Sequence, residues 1–219
     1  IYRATLDGSD VRTLYQLKPE DALSPAGGLV LASDGLLYGT TKFGQAGQID
    51  GAGSIFKIAA AGTGFQIIHR FAPVTAANQD LNPINTNGAY PEAELVEGAD
   101  GYLYGVAPAG GPNGTGTIFK ISRDGTDFQL LHSFAAVTSS STSGLTVTVD
   151  GAAPTGPLVA STDNFFYGTT SQGGANGRGV VFRIAFDGTG FQVLHEFSAT
   201  TADTTTGLLE NADGATPLG

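Results

Sequence analysis

Short apolar runs separated by glycine- and aspartate-rich turns recur along the chain as a set. In the first complete set the runs are residues 28–32, 36–41, 54–59 and 65–72. They are rich in β-branched and aromatic residues and are bounded by Gly, Asp and Asn, which is typical of strands joined by tight turns. The pattern therefore predicts four short β-strands in each set, which we number one to four.

Asp-Gly pairs mark the predicted hairpins. Ser33-Asp34-Gly35 lies between strands one and two, and Asp124-Gly125 and Asp187-Gly188 lie between strands three and four of later sets. Glycine supplies the positive φ angle that a tight hairpin turn needs. Along strand four, alternate residues from Phe65 to Phe71 share one predicted face, and both faces carry apolar groups. This is expected of sheets packed between neighbours.

The four strands repeat with a period of about 63 residues. Equivalent phenylalanines and equivalent histidines are each 63 positions apart, whereas the first two equivalent tyrosines are 66 apart because the first copy carries three extra residues. The repeat-defining residues are Tyr38, Phe56 and His69 in the first copy, Tyr104, Phe119 and His132 in the second, and Tyr167, Phe182 and His195 in the third. A fixed period of this length is the signature of a repeat architecture.

This register divides the chain into units. We expect residues 1–17 to form strands three and four of a repeat, and the complete repeats 1, 2 and 3 to occupy residues 25–71, 91–134 and 154–197. Residues 198–219 hold a connector and the start of a further repeat. Because the chain begins with Ile and not Met, we expect a processed or excised piece of a longer protein.

The predicted fold class is all-β, with tandem four-stranded antiparallel repeats arranged as β-propeller-like blades. About three and a half blades are too few for an ordinary closed propeller, which needs about four to eight. An open β array in a filament is therefore the alternative.

Three motifs resemble a known family. They are Ser-Asp-Gly at 33–35 followed by Leu-Tyr-Gly-Thr-Thr at 37–41, Gly-Thr-Ile-Phe-Lys-Ile at 116–121, and Leu-His-Ser-Phe at 131–134. The sequence is similar to the bacterial GloVer tandem repeat over nearly its whole length. The resemblance implies a secreted or surface-attached bacterial protein with a β-propeller-like fold, and it implies no catalytic residues.

Composition narrows the range of partners. The net charge of −10 argues against nucleic acid and anionic membranes, because both select basic surfaces. No apolar run approaches 18 residues, so no membrane insertion is expected. The absence of cysteine excludes a disulfide framework and thiolate metal ligands. The 33 glycines, against about 15 at ordinary usage, agree with many tight turns.

The histidines are the strongest chemical candidates, and the repeat argues against a catalytic role. Each occupies the same position in a different copy, so the repeat keeps the three apart unless that position lines a common axis. Tyr15 takes the same place in residues 1–17, which favours packing over metal binding. Spaced Asp-Gly turns without further oxygen ligands favour turn chemistry over calcium. We predict no catalytic, cofactor-binding or metal-binding residue, and hence no enzyme.

Three of the connectors have the same length, whereas the first, residues 18–24, has only seven residues. Residues 72–90, 135–153 and 198–216 are each 19 residues long although their sequences differ, which indicates an ordered path. Residues 145–149 alternate like an added strand that could pair with the edge of a neighbouring copy. Two connectors are rich in hydroxyl groups, which favours either solvated loops or O-glycosylation. The candidate O-glycosylation residues are Thr138, Ser139, Ser140, Ser141, Thr142, Ser143, Thr200, Thr201, Thr204, Thr205 and Thr206.

Two functions agree with these features. The first is a non-catalytic structural or adhesive protein at the outside or surface of a bacterial cell. Its partners would be other copies of itself, joined head to tail by completion of β-sheets into a homopolymer. The alternative is a carbohydrate-binding β-propeller lectin with glycans as partners.

Overall fold

The computed structural model describes residues 1–18, 20–21, 23–44, 51–74, 76–77, 83–140, 145–202, 209–214 and 217. These residues form strands and turns, and no helix occurs among them. The described residues therefore contain no helix that is long and apolar enough to cross a membrane. The all-β prediction is confirmed.

The strands, numbered in chain order, fall into one short hairpin and three complete repeats, each repeat followed by a connector hairpin. The first hairpin is β1 (Tyr2–Ala4) and β2 (Val11–Thr13). Repeat 1 is β3 (Leu23–Leu31), β4 (Leu36–Phe43), β5 (Ser54–Ala59) and β6 (Gln66–Arg70), followed by β7 (Ala76–Ala77) and β8 (Pro83–Ile84). Repeat 2 is β9 (Val96–Glu97), β10 (Leu103–Ala107), β11 (Thr117–Ile121) and β12 (Phe128–Ser133), followed by β13 (Ser139–Ser140) and β14 (Thr146–Val147). Repeat 3 is β15 (Val159–Ala160), β16 (Phe165–Thr170), β17 (Val180–Ala185) and β18 (Gln192–Glu196), followed by β19 (Thr201–Ala202) and β20 (Leu209–Glu210).

Each repeat is a four-stranded antiparallel meander in which neighbours in sequence are neighbours in the sheet. The strands therefore match the predicted order one to four, and tandem four-stranded repeats are confirmed. Among the described residues the sheets remain separate, and none closes on itself.

Two details of the strands differ from the sequence pattern. β3 begins at Leu23, earlier than the predicted residue 28, because its pairing with β4 continues across a shift of register between Ala26 and Val30. Strand four does not alternate strictly, because its pairing with strand three shifts register at Ile55/Phe56, and the same shift recurs in the other repeats. An extra residue in one strand breaks the two-residue period, which a pattern of alternation cannot anticipate.

The turn between strands one and two requires a positive φ angle in every repeat. Gly35 and Gly101 both have φ of 79° there, and Asn164 takes the same place in repeat 3 with φ of 67°. Asparagine tolerates this left-handed region better than other residues with a Cβ atom. The turn is therefore kept although its sequence changes.

The core lies within and between the repeats. One buried cluster joins Tyr38 of repeat 1 to Leu103 and Phe119 of repeat 2, and a second joins Tyr104 of repeat 2 to residues of repeat 3.

Strand two can approach strand three closely because it carries glycine. A Cβ atom at Gly105 would lie 2.7 Å from Cζ of Phe119.

Each 19-residue connector contains a hairpin of two strands, each two residues long. The pairs are β7 with β8, β13 with β14, and β19 with β20. A hairpin at the same place in all three connectors gives a physical reason for their equal length. The expected strand within residues 145–149 is present as β14, and its partner is β13 of the same connector.

Candidate functional site

The three repeat histidines occupy equivalent positions and remain apart. Across the part of the chain that the structure describes, no group of three or more His, Cys, Asp or Glu side chains is placed to hold a metal ion. Each histidine instead contacts an Asn or Asp near the end of the connector that follows it, and His69 and His132 also contact a ring of the next repeat. Among the described residues, the contacts between repeats are therefore the site that recurs.

Each histidine forms a hydrogen bond with an Asn or Asp that lies 18 residues further along the chain. The distances from His Nε2 are 3.1 Å from His69 to Asn87, 2.9 Å from His132 to Asp150, and 2.8 Å from His195 to Asp213. The same Asn or Asp also accepts the backbone N–H three residues after the histidine, from Ala72, Ala135 and Ser198 respectively. One side chain thus ties the end of strand four to the last part of the following connector by two hydrogen bonds.

An aromatic ring of the following repeat covers the histidine at the two complete boundaries. His69 stacks on Phe128 with 4.1 Å between ring centroids and 2° between the planes. His132 stacks on Phe191 at 3.9 Å and 2°. We call this combination, a stacked ring plus an Asn or Asp hydrogen bond, the junction.

The first boundary forms the same junction with different residues. Tyr15 stacks on Phe65 at 4.3 Å and 6°, and its hydroxyl donates to Asp21 over 2.7 Å. The Lys18 N–H also donates to Asp21, as Ala72 does to Asn87. The hydrogen bond to Asp21 raises the pKa of Tyr15 to about 12. Phenol and imidazole are therefore both suited to this position.

The junctions differ in their electrostatics. Burial lowers the pKa of His69 to about 4, and its hydrogen-bond partner Asn87 carries no charge that would oppose this effect. At the third boundary the pKa of Asp213 is lowered, first by the hydrogen bond from the Ser198 N–H and further by the one from His195.

The residue before the first proline of each repeat has a strained backbone. Ser24, Tyr90 and Ala153 have φ of 57°, 61° and 52°. A left-handed conformation is costly for a residue with a Cβ atom and persists where its surroundings hold it. Backbone bonds to the preceding repeat do so here, from Tyr90 N to the Ala52 carbonyl at 2.7 Å and from Ala153 N to the Thr115 carbonyl at 2.9 Å.

One polar cluster links only repeats 1 and 2. The Ser33 hydroxyl donates to Glu97 over 2.8 Å, and Arg123 donates to Ser33 over 2.8 Å and pairs with Glu97 at 3.3 Å. Sequence reasoning missed this cluster. The available signal was that the equivalent positions in the next pair of copies are apolar, namely Ala99, Ala160 and Phe186.

The candidate O-glycosylation residues lie on the connector hairpins where the structure describes them. Thr138 is exposed and precedes β13, which contains Ser139 and Ser140. Thr200 accepts a hydrogen bond from Arg178, and Thr201 begins β19. The remaining candidates, Ser141, Thr142, Ser143, Thr204, Thr205 and Thr206, lie outside the described residues.

A groove of about 430 Å³ lies between β1 and repeat 1. Its apolar lining includes Ile1, Tyr2, Pro25, Leu29 and Phe56. Tyr2 is 72% exposed, whereas Phe56, the equivalent residue of repeat 1, is 1% exposed. The difference arises because β1 has only β2 beside it, while β5 also has β4.

At the next boundary, the place equivalent to this groove is filled by strand two of the preceding repeat. There Thr40 of β4 donates to the carbonyl of Ala93, which is equivalent to Gly27 beside the groove. The groove therefore corresponds to the place that strand two occupies at the next boundary.

Tandem four-stranded antiparallel meanders packed through repeated junctions define a β-propeller-like repeat protein. The model of the Gloeobacter/Verrucomicrobia repeat family matches residues 1–216. The chain belongs to this family, which confirms the resemblance to the GloVer repeat. No curated protein matches the sequence significantly.

Solved structures share the fold at low sequence identity. A chain in the crystal structure of a nidogen/laminin complex aligns with a TM-score of 0.50 and 15% identity, over 94% of this chain and 62% of that one. TolB from Acinetobacter baumannii gives 0.50 and 13%, over 92% and 39%. An ulvan lyase of polysaccharide lyase family PL25 gives 0.50 and 13%, over 84% and 41%. The chain thus spans less than two thirds of each of these structures, and at such identities the likeness concerns the fold alone.

Proposed function

We propose that this protein is a non-catalytic structural or adhesive repeat protein of the bacterial cell exterior. Its copies join head to tail by completing one another's β-sheets, which builds a filament or array. The groove beside β1 carries the proposal, because it offers both an unpaired strand edge and an apolar surface at one place. The exterior location rests on the family resemblance.

The outer edge of β1 and the ring of Tyr2 both favour association. Within the described residues β1 pairs on one side only, so its other edge presents unpaired backbone groups. An exposed edge of this kind pairs readily with an added strand. The exposed ring of Tyr2 beside the groove adds an apolar surface whose burial favours association, at roughly 25 cal/mol per Å².

Self-association of the purified chain tests this proposal. Sedimentation velocity over a range of concentrations should show species larger than one copy, and electron micrographs should show fibres or ladders. Tyr2→Asp should weaken association, because it places a charge beside the groove. Val149→Asp is the matched control, since Val149 is also exposed but lies on a connector. Dispersed single copies at every concentration would contradict the proposal.

A further inference from the structure

A cavity of about 200 Å³ lies at the boundary between repeats 2 and 3. Two connector strands border it, through Pro83 of β8 and Thr146 of β14. Ala109 of repeat 2 and Ala153, the last residue of the second connector, form part of its wall. The cavity therefore lies inside the array, with a complete repeat on each side.

Two aromatic rings meet at the equivalent place between repeats 1 and 2. Ala109 and Ala153 hold the repeat positions of Phe43 and Tyr90, which lie 66 and 63 residues earlier in the chain. The rings of Phe43 and Tyr90 pack edge to face, with 5.8 Å between their centroids. The cavity is therefore the space that opens where alanine replaces both of these rings.

The two boundaries have the same backbone spacing, so a closer approach of the repeats does not close the cavity. The backbone bonds from Tyr90 and Ala153 to the preceding repeat measure 2.7 and 2.9 Å. A Cβ atom at Gly53 or at Gly116 would lie 2.7 Å from Cδ of the first proline of the following repeat. An unfilled space in a protein costs stability, and a molecule that binds there stabilises the folded state.

The residues that line the cavity define the chemistry of a ligand. Among the described residues that line it none is charged, and an unpaired charge is costly to bury, so a neutral molecule fits. The alanine and proline walls are apolar, as in cavities that bind benzene. Two polar side chains, Thr115 and Gln172, complete the lining. The Thr115 hydroxyl donates to the Phe134 carbonyl over 2.8 Å, and its oxygen keeps lone pairs that accept from a ligand.

We infer that this cavity binds a small uncharged aromatic molecule of the phenol class. The ring lies against Ala109 and Ala153, at the place that the rings of Phe43 and Tyr90 hold in the preceding boundary. The ligand hydroxyl donates to Oγ1 of Thr115. The site is complete within one copy, so it is independent of the assembly proposed above.

p-Cresol tests the inference, because it has the ring and hydroxyl of a tyrosine side chain. An NMR titration should show saturable shifts of the Thr115, Ala153 and Gln172 amides, and thermal unfolding should show a higher Tm with p-cresol. The filled variant, Ala109→Phe with Ala153→Tyr, copies the preceding boundary into the cavity and should lose both effects. Tyrosine suits position 153, where φ is 52°, because Tyr90 has φ of 61° at the equivalent position.

The reverse variant, Phe43→Ala with Tyr90→Ala, is the matched control. It empties the preceding boundary and should create a second site for p-cresol. Ala52 holds the position of Thr115 there, so this second site should bind toluene and p-cresol with similar affinity. In the natural cavity, Thr115→Ala should weaken the binding of p-cresol by about fivefold, through the loss of one hydrogen bond, and leave that of toluene unchanged.

The outcomes decide both the site and the class of ligand. Saturable binding that is lost in the filled variant supports the inference. The absence of saturable binding to the wild type, or unchanged binding to the filled variant, overturns it. Binding of methyl glucoside in place of p-cresol overturns the aromatic class. Ala109→Phe alone serves if the filled variant folds poorly. Because binding is measured within one copy, single copies at every concentration would contradict the proposed function and leave this inference standing.

Discussion

The junction between repeats 2 and 3 should depend on His132 in a graded way. Its imidazole forms a hydrogen bond with Asp150 at 2.9 Å, stacks on Phe191 at 3.9 Å and meets the edge of Phe134 at 5.0 Å. His132→Ala removes all three contacts, His132→Phe removes only the hydrogen bond, and His132→Tyr reproduces the ring and hydroxyl of Tyr15.

The magnitudes follow from these contacts. A hydrogen bond contributes about 0.5–1.5 kcal/mol, and an aromatic pair contributes about the same beyond its buried area. Because the His132 side chain is partly exposed, we expect His132→Ala to lower the free energy of unfolding by about 2–3 kcal/mol. For His132→Phe we expect about 1 kcal/mol, and for His132→Tyr less than about 0.5 kcal/mol.

Urea unfolding followed by far-UV circular dichroism measures these values, with an unchanged dependence on urea expected for all three. Hydrogen exchange shows where the structure is weakened. In His132→Ala the amides of β12 and β18 should lose protection first. His195→Ala is the matched control, since among the described residues His195 has an edge contact with Phe197 but no stacked ring, and the change should cost about 1 kcal/mol. Equal losses for Ala and Tyr at position 132 would refute the role of the stacked, hydrogen-bonded ring.

Three further predictions concern single positions. Asn87→Asp should raise the pKa of His69, which an NMR titration of the imidazole measures. The wild type should lose stability as the pH falls from 6.5 to about 4, because in this range the His69 imidazole takes up a proton in the unfolded chain before it does so in the folded chain. Asn87→Asp should reduce that loss, which acid unfolding measures. Gly105→Ala should cost about 1–3 kcal/mol in urea unfolding because its methyl group overlaps Phe119. Gly35→Asn should change stability by less than about 0.5 kcal/mol, because repeat 3 already holds asparagine at this turn.

The repeat period was sufficient to predict the strands and the equivalence of the histidines. It was not sufficient to predict the partner of His69. Its spacing of 18 residues from Asn87 recurs in later copies, but Tyr15 and Asp21 are only six apart. The contact depends on how one repeat packs on the next, which a pattern within one repeat does not encode.

The strained backbone was also beyond prediction, because its cause is tertiary. Serine, tyrosine and alanine have no special preference for positive φ, so Ser24, Tyr90 and Ala153 give no local signal. The bonds from Tyr90 and Ala153 to the preceding repeat hold the backbone there. The cluster of Ser33, Glu97 and Arg123 could not be predicted for a related reason. Glu97 and Arg123 lie 64 and 90 residues from Ser33 in the sequence.

The interchangeable chemistry of the junction has a consequence for how such proteins change over generations. Tyr15 with Asp21, His69 with Asn87, and His132 with Asp150 make the same contact. A gene duplication that copies one repeat therefore creates a unit whose two ends already fit their new neighbours. Recombination within the gene can thus lengthen or shorten the array by whole units that keep the junction, whereas the cluster of Ser33, Glu97 and Arg123 is kept only where repeat 1 precedes repeat 2.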